Sequence, residues 1–258
     1  MPQTEDYRAL AYPAPPAMAN LRVILMEPLY PGNIGSVARA LKTVAIGDLV
    51  LVRPTPFRDS NEARCFASGA GDLLDAAREV SSLEAATEGL HWLVGTSNRR
   101  RRGMLEAPLP VRQAAQRIAT LAQTQRVGIL FGREDFGLSS EDLARCNLSL
   151  AIPVAEGMPP LNLSHAVQVV VHEIFLASAE APPTPPRPRA TVAEVESLLR
   201  RFGDLFRLVP PDTLRHPPGQ FIDSLRRIFS RAELEPRDVR TLHQIVRAVI
   251  RRLQPPNP

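Results

Sequence analysis

LRVILMEPLYPGNIGSVARALKTVAIGDLVLV (21–52) decides the fold. LRVILM (21–26) is apolar almost throughout and predicts a buried strand. Ile34, Val37, Ala38, Leu41 and Ala45 recur at three- and four-residue spacing and predict a helix over 33–46. DLVLV (48–52) then predicts a second buried strand. Strands that are apolar throughout and alternate with helices belong to parallel sheets covered on both faces. Working outward, HWLVGT (91–96), RVGILF (126–131) and LSLAIPV (148–154) predict three more strands. Helices are expected over 60–67, 82–88, 110–123 and 161–178. The fold class is therefore α/β, a parallel sheet flanked by helices.

Flanking this body, residues 1–20 read as a disordered or loosely attached leader, because Pro13, Pro15 and Pro16 interrupt any helix. The body spans 21–180. APPTPPRPR lies within a proline-rich linker over 181–190, which is expected to be stiff and extended. Residues 191–258 form a helical C-terminal extension with amphipathic helices over 191–207, 218–230 and 236–253. Leu198, Leu199, Phe202, Leu205 and Phe206 make one apolar face there.

The chain has 258 residues, 44% hydrophobic and 22% charged, which excludes a fully disordered polypeptide. No apolar run approaches the roughly 20 residues of a membrane-spanning helix. The start lacks a basic and apolar secretory pattern, so a cytoplasmic location is expected. Cys65 and Cys146 cannot build a disulfide framework, and His165 and His172 lack the companions of a metal site, so no metal is expected. Charge is uneven. Residues 1–186 carry 17 basic against 19 acidic side chains, whereas 187–258 carry 14 against 8. A basic appendage beside a near-neutral body points to a polyanionic partner.

Four stretches gather the residues with chemistry, three of them strand-to-helix turns. PGNIGSVARA (31–40) offers glycines and a helix start where a backbone can approach a ligand, but it has neither a dinucleotide fingerprint nor a phosphate-loop Gly-Lys. LVGTSNRRRRG (93–103) ends a strand in Thr96, Ser97 and Asn98 and continues into Arg99, Arg100, Arg101 and Arg102, a run suited to phosphates. ILFGREDFGLSSEDL (129–143) ends a strand at Gly132, where close backbone approach is expected, followed by Arg133 and Glu134. AIPVAEGMPPLNLSHAVQ (151–168) leads from a strand into a helix near Leu161 and Asn162, where capping alone would account for Asn162 and Ser164. Carboxyl ends of parallel strands are where open α/β sheets bind ligands.

In that order, GNIGSVARALK, GTS with a basic loop, FGRE-x-x-GLS and PLNLSHAVQ resemble the motifs of the SPOUT superfamily of RNA methyltransferases, TrmH-like branch. The likeness is greatest to its TrmJ-type members, which 2′-O-methylate nucleotide 32 (C or U) of the tRNA anticodon loop. It extends into HPPGQFIDSLRRIFSRAELEPRDVRTLHQIVRAVI (216–250), so it runs from about Leu21 to Leu253. The resemblance implies a C-terminal trefoil knot, S-adenosyl-L-methionine as cofactor, tRNA as partner and a homodimer with the active site at its interface. It implies cofactor contacts from Thr96, Ser97, Asn98, Gly132, Ile152, Pro159, Pro160, Leu161 and Asn162, and catalytic roles for Asn33 and Arg39. Arg99, Arg100, Arg101, Arg102, Arg133, Glu134, Arg226 and Arg227 are the expected RNA contacts. One departure is Pro160, where many relatives have serine, because proline supplies neither hydroxyl nor N–H. Ribosomal RNA is the alternative substrate. A non-catalytic RNA-binding protein and an unrelated nucleotide-binding enzyme are the competing classes; intact Asn33, Arg39, Glu134 and Asn162 speak against the former.

Overall fold

Seven parallel strands form one sheet in the computed structural model, which describes residues 13–97, 107–180, 188–209 and 217–253. The strands are β1 (Leu21–Met26), β2 (Asp48–Val52), β3 (Arg78–Val80), β4 (Trp92–Thr96), β5 (Leu109–Pro110), β6 (Val127–Phe131) and β7 (Leu148–Ala151), in the order β3-β2-β1-β6-β4-β7-β5. The helices of the body are α1 (Pro31–Thr43), α2 (Asn61–Phe66), α3 (Gly71–Ala76), α4 (Leu83–Ala86), α5 (Val111–Ala122), α6 (Ser140–Ala144) and α7 (Leu163–Glu180). Ile34, Val37, Ala38 and Leu41 of α1 are fully buried against the sheet, as their spacing predicted.

Several boundaries differ from the sequence expectations. α1 stops at Thr43, and Ala45 turns solvent-ward in the left-handed region (φ 59°) to bring the chain back into β2. β7 stops at Ala151 because β4 and β5 pair no further, and Val154 is exposed. β3, β5 and α3 have no counterpart in the sequence expectations. The two strands are edges of three and two residues, too short to show a period. The expected loose leader is attached at its end: Pro16–Asn20 forms a 3₁₀ turn that buries Ala17 and Met18, and Asn20 Nδ2 donates to the Ala122 carbonyl at 2.8 Å. Residues 1–12 lie outside the described set.

The tail consists of α8 (Val192–Leu208), α9 (Pro218–Ala232) and α10 (Pro236–Leu253) around a small core of Leu198, Leu199, Phe229 and Val239. Phe202, Phe206, Phe221 and Phe229 make successive tilted ring contacts at 5.3–6.3 Å. The end of the expected linker is packed rather than extended into solvent; 181–187 lie outside the described residues. Arg189 lies 3.7 Å from the centroid of the Trp92 ring, and its Nε donates to the His91 carbonyl at 3.3 Å. The Ala190 N–H reaches the Leu234 carbonyl at 2.7 Å, and the Val192 N–H reaches that of Leu90 at 2.8 Å. The first of these closes the tail on itself, so one backbone bond, from Val192 to Leu90, and the stacked guanidinium of Arg189 join the tail to the body.

Trp92 is the sole tryptophan of the chain and is 1% exposed, so its emission reports this junction. Arg189→Met should red-shift that emission and lower stability by about 1–2 kcal/mol, the scale of a desolvated cation–π contact. The junction also predicts an acid limit. Burial, then the charge of Arg189, holds the His91 imidazole below its ordinary 6.5. Its stabilising contribution is therefore complete above pH 6.5 and is lost as the pH falls through the lower folded value. Melts followed by Trp92 fluorescence should show a larger drop between pH 7.5 and 5.5 for the wild type than for His91→Asn.

Candidate active site

The carboxyl ends of β4, β6 and β7 open into one cleft, closed on its far side by the start of α7. Thr96, Ser97, Gly132, Ile152, Pro160 and Leu161, drawn from three separate stretches of sequence, all line it. Leu150, Leu163 and Ala166 add an apolar floor that the sequence did not single out. The signal was available, since all three continue the apolar runs on which the motifs sit. Pro159 and Asn162 do not line the cleft. Asn162 caps α7 instead, its side-chain oxygen accepting from the Ser164 N–H at 2.9 Å. Thr96 donates its hydroxyl to the Leu130 carbonyl at 3.1 Å and so ties β4 to β6. Asn98 and Arg99 to Arg102 fall outside the described residues.

Gly35 and Gly132, two glycines read as places of close approach, have the protein's own backbone on the side where a Cβ would stand. A Cβ on Gly35 would stand 2.0 Å from the Ala63 carbonyl oxygen, so glycine is what lets α1 lie against α2. A Cβ on Gly132 would stand 2.1 Å from the Gly137 carbonyl carbon. The loop after β6 doubles back there, with the Gly137 N–H on the Arg133 carbonyl at 2.9 Å and Gly137 at φ 71°. Both are close approaches, as read, but of a helix and a loop.

Glu134, expected at the RNA, is turned inward. Its carboxylate accepts from the Leu29 N–H at 2.9 Å, the Tyr30 N–H at 3.4 Å and Asn33 Nδ2 at 2.8 Å. An acceptor-only group with three donors converging on it is a clamp, and it fixes the first motif to the third. Arg133 is likewise engaged, with Glu27 at 3.2 Å and Asp135 at 2.8 Å, and its guanidinium lies over Phe136 at 4.5 Å. Glu27 also pairs with Arg53. The hydrogen bond from Arg53, then that from Arg133, lowers the Glu27 carboxyl below its usual range, so it stays ionised yet neutralised by two cations. A carboxylate that alone would repel phosphate is thereby screened.

Arg39 is exposed on α1, without an ion-pair partner among the described residues. It stands six residues beyond Asn33, about 9 Å along the axis and turned roughly 120° away from it. Of the two tail arginines expected at RNA, Arg227 is exposed, but Arg226 makes a two-point contact with Glu196 and joins α9 to α8. A planar guanidinium facing a carboxylate across two helices forms this fork-to-fork pair.

The SpoU rRNA Methylase family matches residues 20–172. The chain belongs to that family. It is also 35% identical over 237 residues to the tRNA (cytidine/uridine-2′-O-)-methyltransferase TrmJ of Pectobacterium atrosepticum, covering 89% of this chain and 96% of the relative. The TrmJ of Escherichia coli O6:K15:H31 (strain 536 / UPEC) is 34% identical over 240 residues, covering 90% and 96%. Among solved structures, TrmJ from Z. mobilis ZM4 superposes with a TM-score of 0.73 at 26% identity, over 88% of this chain and 98% of that one. A probable methylase family protein from Haemophilus influenzae Rd KW20 gives 0.59 at 28% identity, over 92% and 98%. The expected superfamily and its α/β fold are thus those of this methylase, and the match to TrmJ continues past the family's common body into the tail.

The clamp predicts a separable effect. Glu134→Gln keeps size but offers a single carbonyl acceptor to three donors and adds an NH₂ facing Asn33. Activity should fall at least tenfold, while the thermal midpoint changes by only a few degrees. Gly35→Ala should do the reverse of this in order, lowering stability by about 1–3 kcal/mol through overpacking before activity is affected. Chemical denaturation beside a methyl-transfer assay separates the two.

Proposed function

We propose that this protein transfers a methyl group from S-adenosyl-L-methionine to a ribose 2′-hydroxyl of tRNA, at C or U of position 32 in the anticodon loop. The tRNA reading is carried by one observation. The likeness to the proteins named tRNA (cytidine/uridine-2′-O-)-methyltransferase spans 89–90% of the chain and so includes the three-helix tail, whereas the match to the family ends at 172. Ribosomal RNA is the second reading, favoured by the family's own description. No helix among the described residues is long and apolar enough to cross a membrane, and the substrate puts the enzyme in the cytoplasm.

The cleft suits the cofactor chemically. Small and apolar side chains at the strand ends accommodate an adenosine beside the charged rim of Arg133, Glu134 and Asp135, and the described residues hold no cluster of His, Cys, Asp and Glu that could bind a metal. When bound, the cofactor supplies an electrophilic methyl group. Thr96, Ser97, Gly132, Ile152, Pro160 and Leu161 would hold it, and we extend the knot implied by the resemblance to the chain around that cleft. Asn33, fixed by Glu134, presents its motif to the RNA. A ribose hydroxyl has a pKa far above neutral, so its proton must be drawn off as the bond forms. A guanidinium stays protonated and is a poor base. Arg39 instead holds the neighbouring phosphate and polarises the 2′-oxygen, and a phosphate oxygen or water takes the proton. Because Arg39 faces away from Asn33 on α1, it serves the cleft of a second protomer, which makes the homodimer the working unit.

Nucleoside mass spectrometry of tRNA incubated with enzyme and labelled S-adenosyl-L-methionine tests the reaction: 2′-O-methylcytidine or 2′-O-methyluridine is expected, and label confined to ribosomal RNA would select the second reading. In single-turnover assays Arg39→Ala should lose more than tenfold in rate, over about 1.4 kcal/mol of barrier, with cofactor affinity unchanged. Arg39→Lys should also be slow, lacking the fork. For the tail, replacing exposed Arg247, Arg251 and Arg252 by glutamine should weaken tRNA binding and flatten its log–log salt slope by roughly two, since each phosphate contact contributes about 0.7–0.9.

A further inference from the structure

We propose that Tyr30 is a stacking shelf for an unstacked nucleobase of the RNA next to the target ribose, an inference that rests on the RNA methyltransferase reading above. Tyr30 is 57% exposed, although its backbone is among the most constrained near the site. Its N–H and that of Leu29 both donate to Glu134, at 3.4 and 2.9 Å, and its carbonyl accepts from the Asn33 N–H at 3.0 Å. Pro31 follows directly and confines Tyr30 to the extended region, where it lies at φ −113° and ψ 120°. No described residue hydrogen-bonds the phenol, and no described ring or guanidinium covers the ring. The fold therefore holds an aromatic ring on a rigid stalk, three residues before Asn33, without using the ring for its own packing.

An aromatic in that setting has a chemistry suited to one class of ligand. Bases splayed out of a loop stack on aromatic side chains, and the stalk's rigidity removes the ordering cost that a mobile ring would add. The ring also sits at the N-terminus of the 13-residue α1, whose dipole favours a neighbouring phosphate. Base and backbone of one nucleotide would thus be met side by side. Stacking accepts any base, so Tyr30 adds affinity and register and leaves C and U undiscriminated, as the names of the relatives require of their enzymes.

The test uses the full-length protein, its tRNA and an anticodon stem-loop RNA. Tyr30→Ala should weaken RNA binding about tenfold, within the range of a lost base stack. Cofactor affinity and sedimentation should be unchanged. Tyr30→Phe should stay within about threefold of wild type, whereas Tyr30→Leu, apolar but without a π-face, should behave like Tyr30→Ala. Equal RNA binding by Tyr30→Leu and wild type would reduce the site to apolar area and overturn the shelf. Unchanged binding by Tyr30→Ala would overturn it too, and a shift to slower sedimentation would assign the ring to contact between protomers. Failure of the wild type to methylate tRNA, with stem-loop binding still dependent on Tyr30, would remove the functional reading and leave the shelf standing.

Discussion

The carboxylate of Glu134 joins parts of the chain about a hundred residues apart. It accepts from Leu29, Tyr30 and Asn33 on the β1–α1 connection, while it belongs itself to the loop leaving β6. β1 and β6 are neighbours in the sheet, so their loops emerge side by side; parallel register, Leu25 opposite Phe131, brings the two motifs to the same height. Without that acceptor, three donors at the edge of the cleft would face one another with no common partner, and the start of α1 would lose its fixed direction. Everything proposed for Asn33, Arg39 and Tyr30 depends on that direction.

Close packing imposes the second constraint. α1 can carry Arg39 at its observed place because Gly35 permits contact with the backbone of α2, and the cleft keeps its rim because Gly132 lets the 133–137 loop fold back on itself. Each glycine stands where a methyl group would overlap main-chain atoms that cannot move away. The charged network above them is equally occupied. Glu27 is shared by Arg53 and Arg133, and Arg133 is shared by Glu27 and Asp135. These ions orient the loop and neutralise one another, leaving Arg39 as an arginine of the motifs without such a partner among the described residues.

The tail is fastened by different means. A guanidinium stacked on a buried tryptophan and one backbone hydrogen bond, from Val192 to Leu90, hold the start of α8 against the β4 end of the body, and Arg226 with Glu196 holds α9 to α8. The arginines of α10 are exposed, so part of the +6 balance of residues 187–258 is presented on a docked element. Docking holds those charges at a defined distance from the cleft, which a freely jointed element would not.

The sheet was legible from residue order alone, because LRVILM, DLVLV, HWLVGT and RVGILF are apolar runs that must be covered on both faces, and so were the helices whose period is long enough to read. Residue order also assembled the cleft in outline: motifs at the ends of parallel strands converge whatever lies between them, and Thr96, Gly132, Ile152 and Leu161 do meet. How charged and small residues are used depends on the folded chain. Arg226 looks like Arg227 in sequence, and Glu134 looks like a surface carboxylate. Each acquires its role from a partner 30 or more residues away that no local pattern announces. Gly35 and Gly132 are the same case, since a glycine shows that something comes close and not what. The reason is physical: periodicity records the average environment of a side chain, whereas a hydrogen bond, an ion pair or a backbone contact depends on one atom in one place, and that place exists once the chain has folded.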